Sequence, residues 1–303
     1  MGMRNVPVNG EQRRGPQHLW TIRIPAALSL RPLRDMSAHM TRPPRPRRQK
    51  PDFARRERPV GLGGVSEGAA ILYGWHAVLE ALRNPRRRMR KLYLTPNALR
   101  RLEEERVELP LTTEIVRPDT LDARLGGDAV HQGFLLEADP LPTVELESLR
   151  ADGLLLVLDQ ITDPHNVGAI LRTAAAFAVD GVVTTARHSP EATGALAKSA
   201  SGGLEHVPIA IVQNLARGLA ELGERGFRRI GLDSEAPATL AEADFSGGTA
   251  LVLGAEGKGL RQLTRQSCDA LARLDMPGAI KSLNVSNACA IALYAATAAR
   301  RRG

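Results

Sequence analysis

Residues 154–174 read Leu154-Leu-Leu-Val-Leu-Asp-Gln-Ile-Thr-Asp-Pro-His-Asn-Val-Gly-Ala-Ile-Leu-Arg-Thr-Ala174, and the fold class turns on them. The run 154–159 is apolar without a break until its closing carboxylate, which suits a strand covered on both faces. After a polar interval Val167, Ile170 and Leu171 recur at helical spacing, with Asp163 or Asn166 available as the N-cap. Strand, polar loop and helix follow one another within one short stretch. The alternation continues to the C-terminus. Further strands are predicted at 181–185, 206–212, 229–232, 250–253 and 270–274, with helices at 167–179, 191–199, 215–224, 260–266 and 285–300. This is the pattern of a parallel α/β sheet. Such sheets gather ligands just past the carboxyl ends of their strands.

Three segments place polar or glycine residues at such strand ends. In the first, Arg172 stands six residues after Asn166 on one helix, and both could reach one anionic group. The plain alternative is a helix cap and a surface cation. The second, Gly254-Ala-Glu-Gly-Lys-Gly259, allows close backbone approach to a ligand. It matches neither a P-loop nor the dinucleotide fingerprint, and Glu256 would repel phosphates. A glycine-rich turn between strand and helix explains it equally well. The third runs from Leu274 to Tyr294 and crowds Ser282, Asn284 and Ser286 at the start of a very apolar helix. Capping needs one such residue, so the surplus invites a binding role, although competing caps remain the bland reading. A helix so apolar must bury itself in the core or in a subunit interface.

In this order and spacing, the three segments resemble the signature motifs of the SpoU (TrmH-type) branch of the SPOUT RNA methyltransferases. Asn166 to Arg172 matches the N-x-x-x-x-x-R pattern, Gly254 to Gly259 the G-x-E-G-x-G loop, and Ser282 to Ser286 the S-L-N-V-S run. The resemblance implies an α/β fold with a deep C-terminal trefoil knot, a homodimer, and S-adenosylmethionine-dependent methylation of a ribose 2′-hydroxyl in RNA, without a metal. Carried over by position, Gly254, Leu274 and Leu283 would line the S-adenosylmethionine pocket. Glu256, Ser282 and Asn284 would hold polar groups of substrate or methionine and shape the knot, and Asn166 and Arg172 would act on the target ribose. The family proposal of an arginine base sits awkwardly with a guanidinium pKa above about 12. Arg172 is therefore expected to orient phosphate and ribose. His165 is read as loop, and Lys198, Ser199 and Ser201 resemble a further family stretch near the site.

Upstream, residues 66–142 read as a small α/β domain, with strands near 71–73, 91–94, 114–116 and 133–137 and a helix after the first. Tyr73-Gly-Trp-His-Ala-Val-Leu-Glu-Ala-Leu82 and His131-Gln-Gly-Phe134 are similar to the ribosomal-protein-like substrate domain of family members that methylate a guanosine of 23S rRNA. Between its first helix and second strand lie Arg83, Arg86, Arg87, Arg88, Arg90 and Lys91, candidates for phosphate contact. Residues 141–148 read as a linker before the catalytic domain at 151–303.

Residues 1–65 are expected to be a disordered basic arm, holding nine of 20 prolines by residue 59. Those 59 residues carry a net charge of +10 and the remainder −2, so the high pI belongs to the arm. A translated polyelectrolyte and a gene start placed too early, with initiation at Met36 or Met40, are both open. Aromatics at 3% argue against base-stacking platforms. No apolar run reaches the ~18 residues of a membrane span, and two cysteines without ligand spacing suit a reduced cytoplasm. The rivals are a tRNA-directed enzyme and a non-catalytic RNA-binding protein on the same fold. The partner expected first is 23S rRNA or a ribosome assembly intermediate.

Overall fold

A computed structural model describes residues 68–109, 113–186 and 194–302. The expected arm, and the start of the helix predicted at 191–199, lie outside the described residues.

The small domain contains β1 (Ala70–Tyr73), α1 (Trp75–Arg83), β2 (Met89–Leu94), α2 (Pro96–Glu104), β3 (Thr113–Ile115), α3 (Pro118–Leu125) and β4 (Phe134–Ala138). Its sheet runs β1-β4-β2-β3, with β2 and β3 parallel and the other neighbours antiparallel. Helices α2 and α3 are absent from the sequence reading. Both are shorter than the roughly 11–18 residues over which a helical period is read: α2 has 9 residues, with Ala98 and Leu102 buried, and α3 has 8, with Leu121 buried. Their starts are nevertheless ordinary: proline opens both, and the Thr95 hydroxyl caps α2 by accepting from Ala98 N.

The second part contains β5 (Leu154–Asp159), α4 (Pro164–Ala176), β6 (Gly181–Thr185), α5 (Gly194–Ala200), β7 (Ile209–Val212), α6 (Leu215–Glu224), β8 (Arg228–Leu232), β9 (Ala238–Thr239), β10 (Thr249–Gly254), α7 (Gln262–Gln266), β11 (Ala270–Arg273) and α8 (Val285–Arg300). Its seven strands order β7-β6-β5-β10-β8-β11-β9, and every neighbouring pair is parallel. The two-residue edge strand β9 was not expected. Both faces are covered. Leu154, Leu156 and Leu158 join one core cluster with α4 and α8, while Leu155 and Val157 join another with α6. The uninterrupted apolar run of β5 is thereby explained.

The order reverses beside β5. From it the chain winds outward through β6 and β7, then returns to the other side at β8 and β10. β5 and β10 lie side by side at this switch point, with Asp159 in register with Gly254 at their carboxyl ends. A crevice for ligand belongs there.

Helix α8 divides its apolar surface. Val285, Cys289, Ala292, Leu293 and Ala296 are buried, whereas Ile291 and Tyr294 stand exposed in the single chain. The stretch read as a linker is also strapped down. Val144 bridges Ala210 beside β7, and the Arg225 guanidinium donates to the carbonyls of Leu146, Glu147 and Leu149.

Candidate active site

The side chain of Asn284 joins all three polar segments. Its Oδ1 accepts from Ser286 N at 2.9 Å and from Ser286 Oγ at 2.6 Å, which caps α8. Its Nδ2 donates to Asn166 Oδ1 at 2.9 Å and to Glu256 Oε2 at 3.2 Å. The amide's orientation follows, since both acceptors need the nitrogen and both donors need the oxygen. Residues 118 and 28 positions away from Asn284 thus meet at the switch point.

Asn166 is not the cap of α4. Asp163 takes that role by accepting from His165 N at 3.1 Å. Asn166 is left half-buried with only its carbonyl engaged, so among the described residues its Nδ2 is available to a substrate. His165 Nδ1 lies 3.2 Å from Ser199 Oγ, which holds the ring against α5.

The structure explains each glycine of the second segment. At Gly254 a Cβ would lie 2.2 Å from the Gly259 carbonyl carbon, because the loop folds back over the strand end. Gly257 and Gly259 have φ of +75° and +64°, the left-handed region that suits glycine. The loop closes on itself through Gly259 N to Ala255 O at 2.8 Å. The loop therefore lies backbone against backbone over the end of β10, an approach that glycine at 254 permits.

A further anchor escaped the sequence reading. Asp159, buried at the end of β5, accepts from Arg261 N at 3.0 Å and from Arg261 Nε at 2.7 Å. It ties the end of the glycine loop to the neighbouring strand. A strand that closes on Asp just before a polar loop was the available signal, but its partner lies 102 residues on.

Not every expected residue enters the cluster. Arg172 is exposed, and six helical residues turn it about 120° away from Asn166. Ser282 and Leu283 are exposed as well, while Leu274 packs against the core. Lys281 Nζ donates to Met276 O at 2.5 Å, closing the loop that carries them. Four members of the small domain's cation run are paired within the chain, and of these only Arg87 is buried. Arg87 is buried on Glu205, Arg90 pairs with Asp139 at 2.5 Å, Lys91 with Glu114 at 2.7 Å and Arg83 with Glu105 at 3.2 Å. Of the run, only the Arg86 and Arg88 guanidinium groups are exposed and unpaired among the described residues.

Burial pushes both thiols, Cys268 and Cys289, up to about 12, so neither is a nucleophile near neutral pH. Among the described residues no cluster of three or more His, Cys, Asp or Glu could hold a metal. A cavity of about 330 Å³ is lined chiefly by apolar residues, including Leu72, Leu141, Leu171 and Ile209, and it contains no member of the Asn284 cluster.

A parallel sheet with a glycine-bent loop and a converged polar cluster at its switch point defines a ligand-binding α/β scaffold rather than one reaction. The comparisons narrow it. Residues 153–294 match the SpoU rRNA methylase family, and residues 71–144 match the RNA 2′-O ribose methyltransferase substrate-binding family. The chain belongs to the SpoU rRNA methylase family, with its α/β fold. It is 40% identical over 238 residues to the 23S rRNA (guanosine-2′-O-)-methyltransferase RlmB of Pasteurella multocida, covering 74% of this chain and 95% of that one. A Bacillus subtilis relative, 35% identical over 241 residues (76% of this chain, 96% of the relative), bears a name that spans tRNA and rRNA. In fold the chain is similar to the SpoU methyltransferase AviRb of Streptomyces viridochromogenes, solved with AdoMet. The TM-score is 0.67 at 23% identity, covering 78% of this chain and 92% of that one.

Proposed function

We propose that this protein methylates a ribose 2′-hydroxyl of RNA, a guanosine of 23S rRNA, with S-adenosylmethionine as donor. The observation that carries the reading is the Asn284 junction, which draws one polar residue from each of three distant motifs to a single point. The names of relatives near 40% identity supply the substrate class.

The residues present fit the donor. Gly254 lets the loop close tightly over the strand end with its backbone available to a ligand, Leu274 and Leu283 offer aliphatic contact, and the polar rim at Glu256, Ser282 and Asn284 suits an amino acid moiety. When bound, the sulfonium supplies a methyl group for in-line displacement by the ribose oxygen. Most of the work left to the protein is positioning. Asn166 presents its free amide nitrogen to the ribose or its phosphate. Arg172, cationic at any working pH, orients a phosphate and offsets charge as the 2′-oxygen loses its proton. That proton leaves to phosphate or to water.

The working unit in this reading is a cytoplasmic homodimer. The open face of α8, with Ile291 and Tyr294, supplies an apolar contact surface. Its domains divide at 66–142 for substrate docking and 151–303 for catalysis. The Bacillus name keeps tRNA as the second reading.

The test is tritium transfer from labelled S-adenosylmethionine to 23S rRNA and to bulk tRNA, with the product mapped by its alkali-resistant linkage. Label at a guanosine ribose of 23S rRNA is the expected result. Label in tRNA alone keeps the chemistry and removes the rRNA assignment.

A further inference from the structure

Helix α5 and the turn after it, Gly194 to Glu205, touch two things at once. On one side they lie in backbone contact with α4. A Cβ on Gly168 would sit 2.4 Å from Ser199 Cβ and 2.7 Å from Leu196 O, and one on Gly203 would sit 2.7 Å from Leu171 O and 2.9 Å from Arg172 N. No side chain separates this segment from the helix that carries Asn166 and Arg172. On the other side the segment is built into the small domain. Ala197 belongs to that domain's core cluster, Gly194 lies against the Tyr73 ring, and Lys198 Nζ donates to Val130 O at 2.9 Å.

Glu205 closes the bracket. Its Oε1 accepts from Arg87 Nη2 at 2.5 Å, and its Oε2 accepts from Arg87 Nε at 3.2 Å and from Asn84 Nδ2 at 2.7 Å. The remaining Arg87 nitrogen, Nη1, donates to Asp139 O at 2.8 Å. The two charged side chains are 3% and 1% exposed. A buried ion pair with every guanidinium nitrogen engaged tolerates one geometry, because sliding would strand a charge away from water. The neighbouring pair of Glu80 with His206 at 2.8 Å is exposed and tolerates slip.

We infer that Glu205 is a positioning residue: through Arg87 and Asn84 it fixes the RNA-docking domain at one angle to α4, so that docked RNA arrives with its target ribose at Asn166 and Arg172. This deepens the proposed function and rests on it. A loose joint would let RNA bind while the ribose wandered, and small misplacement is costly in a reaction that depends on alignment.

The test uses the full chain with Glu205→Ala and, should that variant fold poorly, Glu205→Gln. Three readouts are taken: kcat and KM for methyl transfer to 23S rRNA, the Kd for S-adenosylmethionine alone, and the distance between spin labels. The labels replace exposed Ile115 on β3 and Leu263 on α7, in a background with Cys268→Ser and Cys289→Ala. The expected result for either variant is a fall in kcat/KM on rRNA of roughly tenfold or more, a cofactor Kd within about twofold, and a broadened label distance. A narrow distance with unchanged rRNA kinetics overturns the inference. So does a loss of cofactor binding in step with rRNA activity, since that marks general destabilisation. If the unaltered chain methylates no RNA, the proposed function fails, while the label distance still decides whether Glu205 holds the joint.

Discussion

Two glutamates, Glu256 and Glu205, each accept a hydrogen bond from an asparagine amide, and their surroundings separate two kinds of polar cluster. Around Glu256 the group is half open: Glu256 is exposed, Asn284 bridges it to Asn166, and the Asn166 amide nitrogen has no partner among the described residues. Around Glu205 the group is sealed: the Arg87 and Asn84 donors are directed at fixed acceptors away from water. A sealed cluster has spent its hydrogen-bonding capacity on architecture. An open one keeps capacity for a ligand, at some cost in stability. The difference predicts which readout each substitution moves.

The largest expected effect is on folding. Glu205→Ala leaves Arg87 buried without its partner and costs about 3–5 kcal/mol, read by denaturant unfolding. A cost under about 1 kcal/mol would mean that water reaches Arg87, and the contrast between the clusters would collapse. Next comes chemistry without folding. Arg172→Ala lowers methyl transfer by roughly 10²–10³-fold with stability and cofactor affinity unchanged. Arg172→Lys separates fork from charge, and near-full activity in it would argue against a planar requirement.

Gly254→Ala forces a methyl group against the Gly259 carbonyl and costs about 1–3 kcal/mol. It also weakens S-adenosylmethionine binding, which equilibrium dialysis measures. Asn284→Ala removes a cap worth about 1 kcal/mol of stability. It should depress methyl transfer more than that loss accounts for, because three motifs lose their common partner. A purely proportional loss would reduce Asn284 to a helix cap.

The smallest effect is a pH dependence away from both clusters. Hydrogen bonding from Arg229 holds the Asp269 carboxyl below its ordinary value. A carboxyl depressed in the folded state stabilises the protein above its unfolded pKa, and that contribution is lost as pH falls through the folded value. Asp269→Asn should therefore lower stability slightly at neutral pH and flatten its decline on the acid side, checked by melting curves from pH 7 downward. An unchanged acid slope would show the pair to be energetically silent.

The run 154–159, the helical period after it, and its repetition to residue 300 made the parallel sheet legible, because unbroken apolar strands and 3.6-residue periods report burial locally. The three polar segments stood out by resemblance, and the glycines of 254–259 by their chemistry. The cation run at 83–91 was legible as charge but not as pairing. Four of its six members meet acidic side chains from other parts of the fold, Arg87 in the interior and the other three at the surface. Charge is visible in sequence; its neutralisation by Glu205 from 118 residues away is not.

The sequence by itself determined the strands other than β9, the longer helices, the glycine loop and the polar surplus at 282–286, since each depends on neighbours in the chain. Only the tertiary structure decided that Asp163 rather than Asn166 caps α4, that Asn284 unites three motifs, that Asp159 holds Arg261, and that Glu205 locks the small domain. Asn284 and Asp159 find partners brought beside them where the sheet reverses its order, Glu205 finds its own on the small domain, and the cap at Asp163 is local but was one of two that the sequence offered. Packing sets such partners, and no local pattern records them.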